Sequence, residues 1–179
     1  AVLMALFGET PFVGIVIAQA LLGALTSFAV MWLGDSLFDR TIGLAGGLLH
    51  AVAPMHILMI GWILTETLFV ACFMAGLLLL AKGLKNERWQ FIIASGAVFG
   101  LTSLIRPIGL WILLPILLAL ALYQWPSVRW RSIVLTFSAV YLLMIGPWML
   151  RNYLLFGRAE LSSIVDYHLY DYDVAAFKA

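Results

Sequence analysis

The sequence has few charged residues for its length. Only 11% of its 179 residues are charged, whereas 64% are hydrophobic, and its mean hydropathy is +1.07. A soluble domain carries about 25% charged residues. This composition excludes a soluble globular domain and indicates an integral membrane protein. The formal net charge of +1 gives no reason to expect nucleic acid as a partner.

Cysteine and the common catalytic motifs are also scarce. The single cysteine, Cys72, lies in an apolar run, which excludes a disulfide framework. The sequence contains no metal-ligand cluster, phosphate-binding loop, nucleophile elbow or HExxH motif, so no metal site is predicted. At the start of the sequence no basic segment precedes a short apolar core, so no signal peptide is predicted. We expect the chain, from Ala1, to be an internal piece of a longer polytopic protein.

Long hydrophobic runs are the main feature that is present. A helix crosses about 30 Å of hydrocarbon with roughly 20 residues. Six segments fit this rule: 11–34, 41–61, 64–83, 89–105, 107–125 and 131–150. The second is broken late by Pro54. We therefore predict an all-α fold, a polytopic transmembrane helical bundle with about six spans in residues 1–157, and take residues 158–179 as the start of an extracytoplasmic loop or segment.

Basic residues are distributed unevenly between the two ends of the predicted bundle. The turns at one end carry Arg40, Lys82, Lys85, Arg88, Arg129 and Arg131. The opposite end has Arg106, Arg151, Arg158 and Lys178. Short loops rich in lysine and arginine remain in the cytoplasm. The first end is therefore predicted to face the cytoplasm and the second to face outward.

With this orientation, four polar residues gather at the outer boundary: Glu66, Arg106, Arg151 and Asn152. An ionised guanidinium in hydrocarbon costs roughly 3 kcal/mol on insertion scales, so Arg106 needs a reason to be there. It precedes Pro107 in "GLTSLIRPIGLWILLP" (100–115), where proline is expected to be the first residue of a helix. A guanidinium beside the positive end of a helix dipole predicts an anion site suited to phosphate. The alternative is that Arg106 reaches the headgroups or pairs with Glu66.

Glu66 is expected in the first turn of its helix, in "WILTETLF". A carboxylate there interacts favourably with the helix dipole, and Thr65 is a candidate cap. An acid among apolar residues in a membrane is also a candidate functional group. Orienting a sugar hydroxyl, holding an arginine and binding a cation all remain open as its role.

Arg151 and Asn152 close the last predicted span in "GPWMLRNYLLFGR" (146–158). Their side chains offer hydrogen-bond donors at headgroup depth. Trp148 fits an interfacial aromatic belt, so a simple membrane anchor is the alternative to a binding role. His56 is a weaker candidate ligand at the same side, and His50 is expected to be structural.

Glycine pairs predict where helices pack closely. Gly96 and Gly100 have GxxxG spacing, and "GLAGG" (43–47) has a similar cluster of small residues. Small residues allow two backbones to approach each other in a membrane.

Three stretches together resemble the GT-C membrane glycosyltransferases, specifically the bacterial branch of glycosyltransferase family 39 related to protein O-mannosyltransferases and aminoarabinose transferases. They are residues 6–68, which run from "LFGETPF" to "LTETL", then "GLTSLIRPIGLWILLP", then "GPWMLRNYLLFG". The resemblance covers nearly the whole chain, and the ordered series carries it more than any single short motif.

The resemblance implies an enzyme that moves a sugar from a polyprenyl-phosphate carrier to a lipid, glycan or protein acceptor, on the outer side of a bacterial inner membrane. The family's catalytic base is an aspartate in an external loop, which would lie before Ala1. Glu66, Arg106, Arg151 and Asn152 would then be donor-binding residues near the lipid phosphate. The resemblance does not settle whether a divalent cation takes part, and it implies no other cofactor.

Two other classes of function remain open on the sequence. A transporter or flippase-like module would use helices broken by proline, such as those at Pro54 and Pro107, although transporters place polar groups at the midplane and in internal repeats. A non-catalytic membrane subunit fits as well, because the expected base is outside the chain. Neither the sugar nor the acceptor nor the oligomeric state can be deduced from these residues.

Overall fold

A computed structural model describes residues 11–60, 65–124 and 129–162, and these ranges contain helices and no strand. The seven helices are α1 (Pro11–Leu37), α2 (Arg40–Val52), α3 (Pro54–Ile60), α4 (Glu66–Lys85), α5 (Trp89–Ile105), α6 (Gly109–Gln124) and α7 (Arg129–Phe156). The predicted all-α bundle is confirmed.

Three of these helices are long and apolar enough to cross a bilayer alone. They are α1, α4 and α7, and the last two have 20 and 28 residues. The apolar helices α5 and α6 are shorter, with 17 and 16 residues. α2 and α3 are separated only by Ala53 and are shorter still, with 13 and 7 residues. This set of apolar helices makes the protein an integral membrane protein.

Local sequence explains the break between α2 and α3. Asp39 caps the start of α2, since its carboxylate accepts a hydrogen bond from the Ile42 backbone at 2.9 Å. Ala53 ends the helix with extended backbone angles, φ −61° and ψ 116°. The ring of Pro54 disfavours the helical conformation for the residue before it. The break predicted at Pro54 is confirmed.

Two predicted helix boundaries are wrong. α6 begins at Gly109 and not at Pro107, because Arg106 is extended (φ −143°, ψ 127°) and residues 107–108 form a turn. α7 continues through Pro147 to Phe156. Arg151 and Asn152 therefore lie in the last turns of a helix and not beyond its end.

Buried glycines set the closest helix contacts. A Cβ atom on Gly43 would lie 2.5 Å from the Met31 carbonyl oxygen of α1. On Gly96 it would lie 2.8 Å from the Phe137 carbonyl oxygen of α7, and on Gly100 it would lie 2.5 Å from Met144 Cβ. The close packing predicted for both glycine clusters is confirmed.

The helices pack in a fixed sequence across the bundle. α2 packs on α1, α1 on α4, α4 on α5 and α5 on α7, while α6 contacts α5 and α7. The buried core lies between α4, α5, α6 and α7 and contains Phe99, Phe137, Tyr141 and Ile145. The Phe99 ring meets the Phe137 ring edge-on at 5.8 Å.

The register of the core contacts shows how the helix ends align. α4 runs antiparallel to α5, because Gly76 lies against Phe99 and Gly83 lies against Ile92. α5 and α7 run parallel, with Gly96 at Phe137 and Gly100 at Met144. The start of α4 and the ends of α5 and α7 therefore lie at the same end of the bundle.

Candidate functional site

Glu66 and Arg106 form an ion pair at this end of the bundle. The guanidinium Nη1 of Arg106 donates to Oε1 of Glu66. Glu66 is the first residue of α4, and Arg106 follows the last residue of α5. Their side chains are 30% and 37% exposed, so part of each is accessible.

The pair leaves hydrogen-bonding capacity unused. Glu66 Oε2 is shielded from solvent and has no hydrogen-bond partner among the described residues. A buried acceptor without a donor is unfavourable. Arg106 has five N–H donors, and within the described ranges its side chain makes only the bond to Glu66. Both partners can therefore contact a third group.

The backbone around this pair corrects two expectations. The side chain of Thr65 makes no capping hydrogen bond at the start of α4. The first backbone N–H groups of α6 are also occupied: Gly109, Leu110 and Trp111 donate to the carbonyl oxygens of residues 106, 107 and 108. The positive charge at this corner therefore comes from the guanidinium of Arg106 and not from a free helix terminus.

Arg151 and Asn152 belong to a separate group of contacts at the end of α7. Arg151 Nη1 donates to Asn152 Oδ1 at 3.2 Å, and its guanidinium carbon lies 5.0 Å from the centre of the Trp148 ring. Asn152 Nδ2 donates to the Glu160 carbonyl oxygen at 2.7 Å, and Trp148 Nε1 donates to the Leu161 carbonyl oxygen at 3.3 Å. Asn152 and Trp148 thus hold the segment after α7 against the helix.

The two arginines lie at about the same level of the bundle. Arg106 follows Gly100 by six residues on α5, and Arg151 follows Met144 by seven residues on the parallel helix α7. Within the described residues no contact joins Arg151 or Asn152 to the Glu66–Arg106 pair. The structure therefore brings together two of the four predicted site residues and places the other two at the same end.

A histidine cluster joins α1, α2 and α3. Ser27 Oγ lies 2.9 Å from Nδ1 of His50, and the His50 and His56 rings lie 4.2 Å apart between centres. His50 Nε2 is shielded and has no hydrogen-bond partner in the described part of the chain. The sequence showed only two histidines around Pro54. The structure brings the two rings together at an angle of 36°, with His50 on α2 and His56 on α3.

No group of three or more histidine, cysteine, aspartate or glutamate side chains in the described ranges is placed to hold a metal ion. The side chains of the Glu66–Arg106 pair can form hydrogen bonds to an anion or a hydroxyl.

Comparison with known protein families identifies one that matches the chain. The model of the family described as dolichyl-phosphate-mannose-protein mannosyltransferase matches residues 1–150. The match contains Glu66 and Arg106 and ends directly before Arg151. No curated protein and no solved structure matches the chain significantly.

Proposed function

Since the chain belongs to the dolichyl-phosphate-mannose-protein mannosyltransferase family of membrane glycosyltransferases, we propose that it transfers a sugar from a polyprenyl-phosphate carrier to an acceptor on the extracytoplasmic side of the membrane. The observation that carries this proposal is the half-exposed Glu66–Arg106 pair at one end of an apolar bundle. A polyprenyl phosphate is an anion at headgroup depth attached to a tail in hydrocarbon. A protein that binds it needs a cation at that depth.

Arg106 is proposed to bind the phosphate of the donor lipid. In the reaction the acceptor hydroxyl attacks the anomeric carbon of the sugar, and the bond from that carbon to the phosphate oxygen breaks. The electron pair of that bond stays on the phosphate, whose negative charge grows in the transition state. A fixed guanidinium stabilises this charge. The proton of the acceptor passes to the base, which by family resemblance is an aspartate before Ala1.

Glu66 is proposed to hold Arg106 in position and to contact the sugar. Its Oε1 accepts from the guanidinium, which restricts the rotation of a long side chain. The Glu66 side chain is 30% exposed, and we propose that a sugar hydroxyl donates to Oε1, since a carboxylate oxygen can accept a second hydrogen bond. We place Arg151 and Asn152 at the border of the same site, where Arg151 adds a second positive charge.

The test compares two arginine–glutamate pairs at opposite ends of the bundle. In the intact protein, Arg106→Gln is expected to lower sugar transfer from polyprenyl-phosphate mannose by about 100-fold or more, the usual effect of removing a donor to a developing oxyanion. Arg129→Gln, which breaks the exposed pair of Arg129 with Glu87, is expected to change it less than about twofold. Transfer is measured in membrane vesicles with radiolabelled donor, normalised to folded protein.

A double variant separates binding from a structural role. If the ion pair only stabilised the fold, Glu66→Gln with Arg106→Gln would restore activity, because the neutral pair buries no unpaired charge. We expect the double variant to stay as inactive as Arg106→Gln. Recovery to near the wild-type rate would contradict a phosphate-binding role for Arg106. If the wild-type protein bound the donor lipid but transferred no sugar although the base was present, it would be a non-catalytic subunit.

A further inference from the structure

The end of the bundle opposite the Glu66–Arg106 pair contains a cavity of about 600 Å³. It lies between α1, α4 and α6. α6 packs on α5 and α7 but makes no close backbone contact with α1 or α4 in the described residues. The cavity is therefore a wedge that opens where α6 diverges from the other two helices.

The walls of this wedge are apolar and its polar groups lie at one end. Leu77 and Leu80 of α4 and Ile116 and Leu120 of α6 line its inner part. Lys82, Lys85, Ser36 and Asn86 line it near the helix ends. From Leu77 to Lys85 the wall follows eight residues of α4, or about 12 Å along the membrane normal. A molecule that fills the cavity must be apolar over that depth and polar at the mouth.

The mouth of the cavity is positively charged. Lys82 Nζ lies 3.9 Å from the centre of the Trp32 ring, which holds it at the rim, and Lys85 is exposed. Neither lysine makes an ion pair within the described ranges. Three acids lie close in sequence to lining residues: Asp35 is exposed, Asp39 caps α2, and Glu87 is paired with Arg129, and none of the three lines the cavity. The two lysines are thus available to an anion.

We propose that this cavity binds one anionic phospholipid, with an acyl chain between α1, α4 and α6 and its phosphate at Lys82 and Lys85. Lysine stems lie along apolar surface and bring their ammonium groups to the membrane boundary. Basic pockets between transmembrane helices at the cytoplasmic side suit anionic headgroups. A neutral lipid could fill the same space but would gain nothing from the lysines. This site shares no residue with the proposed sugar-transfer site.

The test measures lipid binding to the purified intact protein by native mass spectrometry. Dioleoyl-phosphatidylglycerol is titrated against dioleoyl-phosphatidylcholine, and one phosphatidylglycerol is expected to bind preferentially. Lys82→Gln with Lys85→Gln should weaken that binding about 30-fold, since each lysine near the surface contributes about fivefold. The matched control, Arg40→Gln with Arg131→Gln, removes two charges from the same end without touching the cavity and should change binding less than about threefold.

A second variant tests the cavity itself. Ala119→Phe fills the space between α6 and the other helices and leaves every charge in place. It should also lose the tightly bound phosphatidylglycerol. Four results would overturn the proposal: equal binding of phosphatidylcholine, equal loss in the arginine control, retained binding in Ala119→Phe, or preferential occupation by polyprenyl phosphate. The lysine variant decides the question even if Ala119→Phe does not fold.

Discussion

Buried hydroxyl groups in this bundle are mostly satisfied by carbonyl groups of their own helix. Thr26 donates to Leu22, and Thr102 donates to Val98, each one turn earlier. Such bonds keep a hydroxyl paired in hydrocarbon without joining two helices. Two others do join helices: Ser95 donates to the Gly76 carbonyl oxygen at 2.9 Å, and Ser103 Oγ lies 2.7 Å from the Tyr141 hydroxyl. These two bonds fix α5 against α4 and α7.

Removal of the Tyr141 hydroxyl should destabilise the bundle by a small amount. Tyr141→Phe is expected to cost about 0.6 kcal/mol and at most about 1.7 kcal/mol, the range for hydrogen bonds between membrane helices. The cost is limited because Ser103 still bonds to the Phe99 carbonyl oxygen. Tyr153→Phe, at an exposed position, serves as control and should have no effect. Unfolding by denaturing detergent measures both, and equal stability of the two variants would contradict the interhelical role of the hydroxyl pair.

At the level of individual residues, the sequence predicted part of the site. It predicted the depth of Glu66 and Arg106 and named their pairing as one alternative, because the order of spans places both at one end. It could not predict which carboxylate oxygen remains without a partner, since that depends on side-chain geometry between α4 and α5. It also missed the contact of Ser27 with His50, which lie 23 residues apart on different helices.

The helices differ in how closely they approach each other, and the closest approaches occur at glycine residues. A side chain on Gly96 would meet the carbonyl oxygen of Phe137, which is backbone and cannot rotate away. Gly146, on α7, has open space around it. The two glycines thus have opposite roles, although both lie in apolar helices.

Alanine at these two glycines should therefore have opposite effects. Gly96→Ala is expected to destabilise the bundle by about 1–3 kcal/mol, because α5 and α7 must separate to admit the methyl group. Gly146→Ala is expected to be neutral or to stabilise by up to about 1 kcal/mol, since alanine loses less entropy in a helix. Unfolding in detergent, followed by circular dichroism, measures both. A stability for Gly96→Ala equal to or above that of the wild type would show that the contact is looser than described.

The lengths of the hydrophobic runs predicted the apolar helices well and their ends less well. Runs of about 20 apolar residues define the spans. Pro54 predicts a break because its ring clashes sterically with a helical residue before it. Pro147 is different, because α7 continues past it. The start of α6 was misplaced because Pro107 can occupy a turn as easily as a first helical turn. That choice depends on the close contact of Gly109 with Ser103, where a Cβ would lie 2.6 Å from Ser103 Oγ.

The whole molecule has two chemically different ends. One end carries the Glu66–Arg106 pair and the Arg151 group, and the other carries most of the lysines and arginines and the wedge-shaped cavity. The excess of basic residues in its short turns predicts that the second end faces the cytoplasm. Sugar transfer on the outer side and lipid binding on the inner side would then take place at opposite surfaces.

Single-cysteine labelling tests this orientation. In a Cys72→Ala background, Asn86→Cys lies at the lysine-rich end and Glu160→Cys lies beyond the end of α7. A membrane-impermeant maleimide added to intact cells should label Glu160→Cys and should label Asn86→Cys only after the membrane is opened. The reverse pattern would place the Glu66–Arg106 pair in the cytoplasm and would contradict transfer on the outer side.

The contact between α5 and α7 repeats at intervals of four residues, since Gly96 meets Phe137 and Gly100 meets Tyr141 and Met144. Helices with such a repeat can associate in a second way, slipped by about one turn or 5.4 Å. In the slipped arrangement Ser103 would face Phe137 or Ile145, and the Tyr141 hydroxyl would lose its partner. The hydroxyl pair therefore favours the observed register, in which Arg106 and Arg151 lie at about the same level.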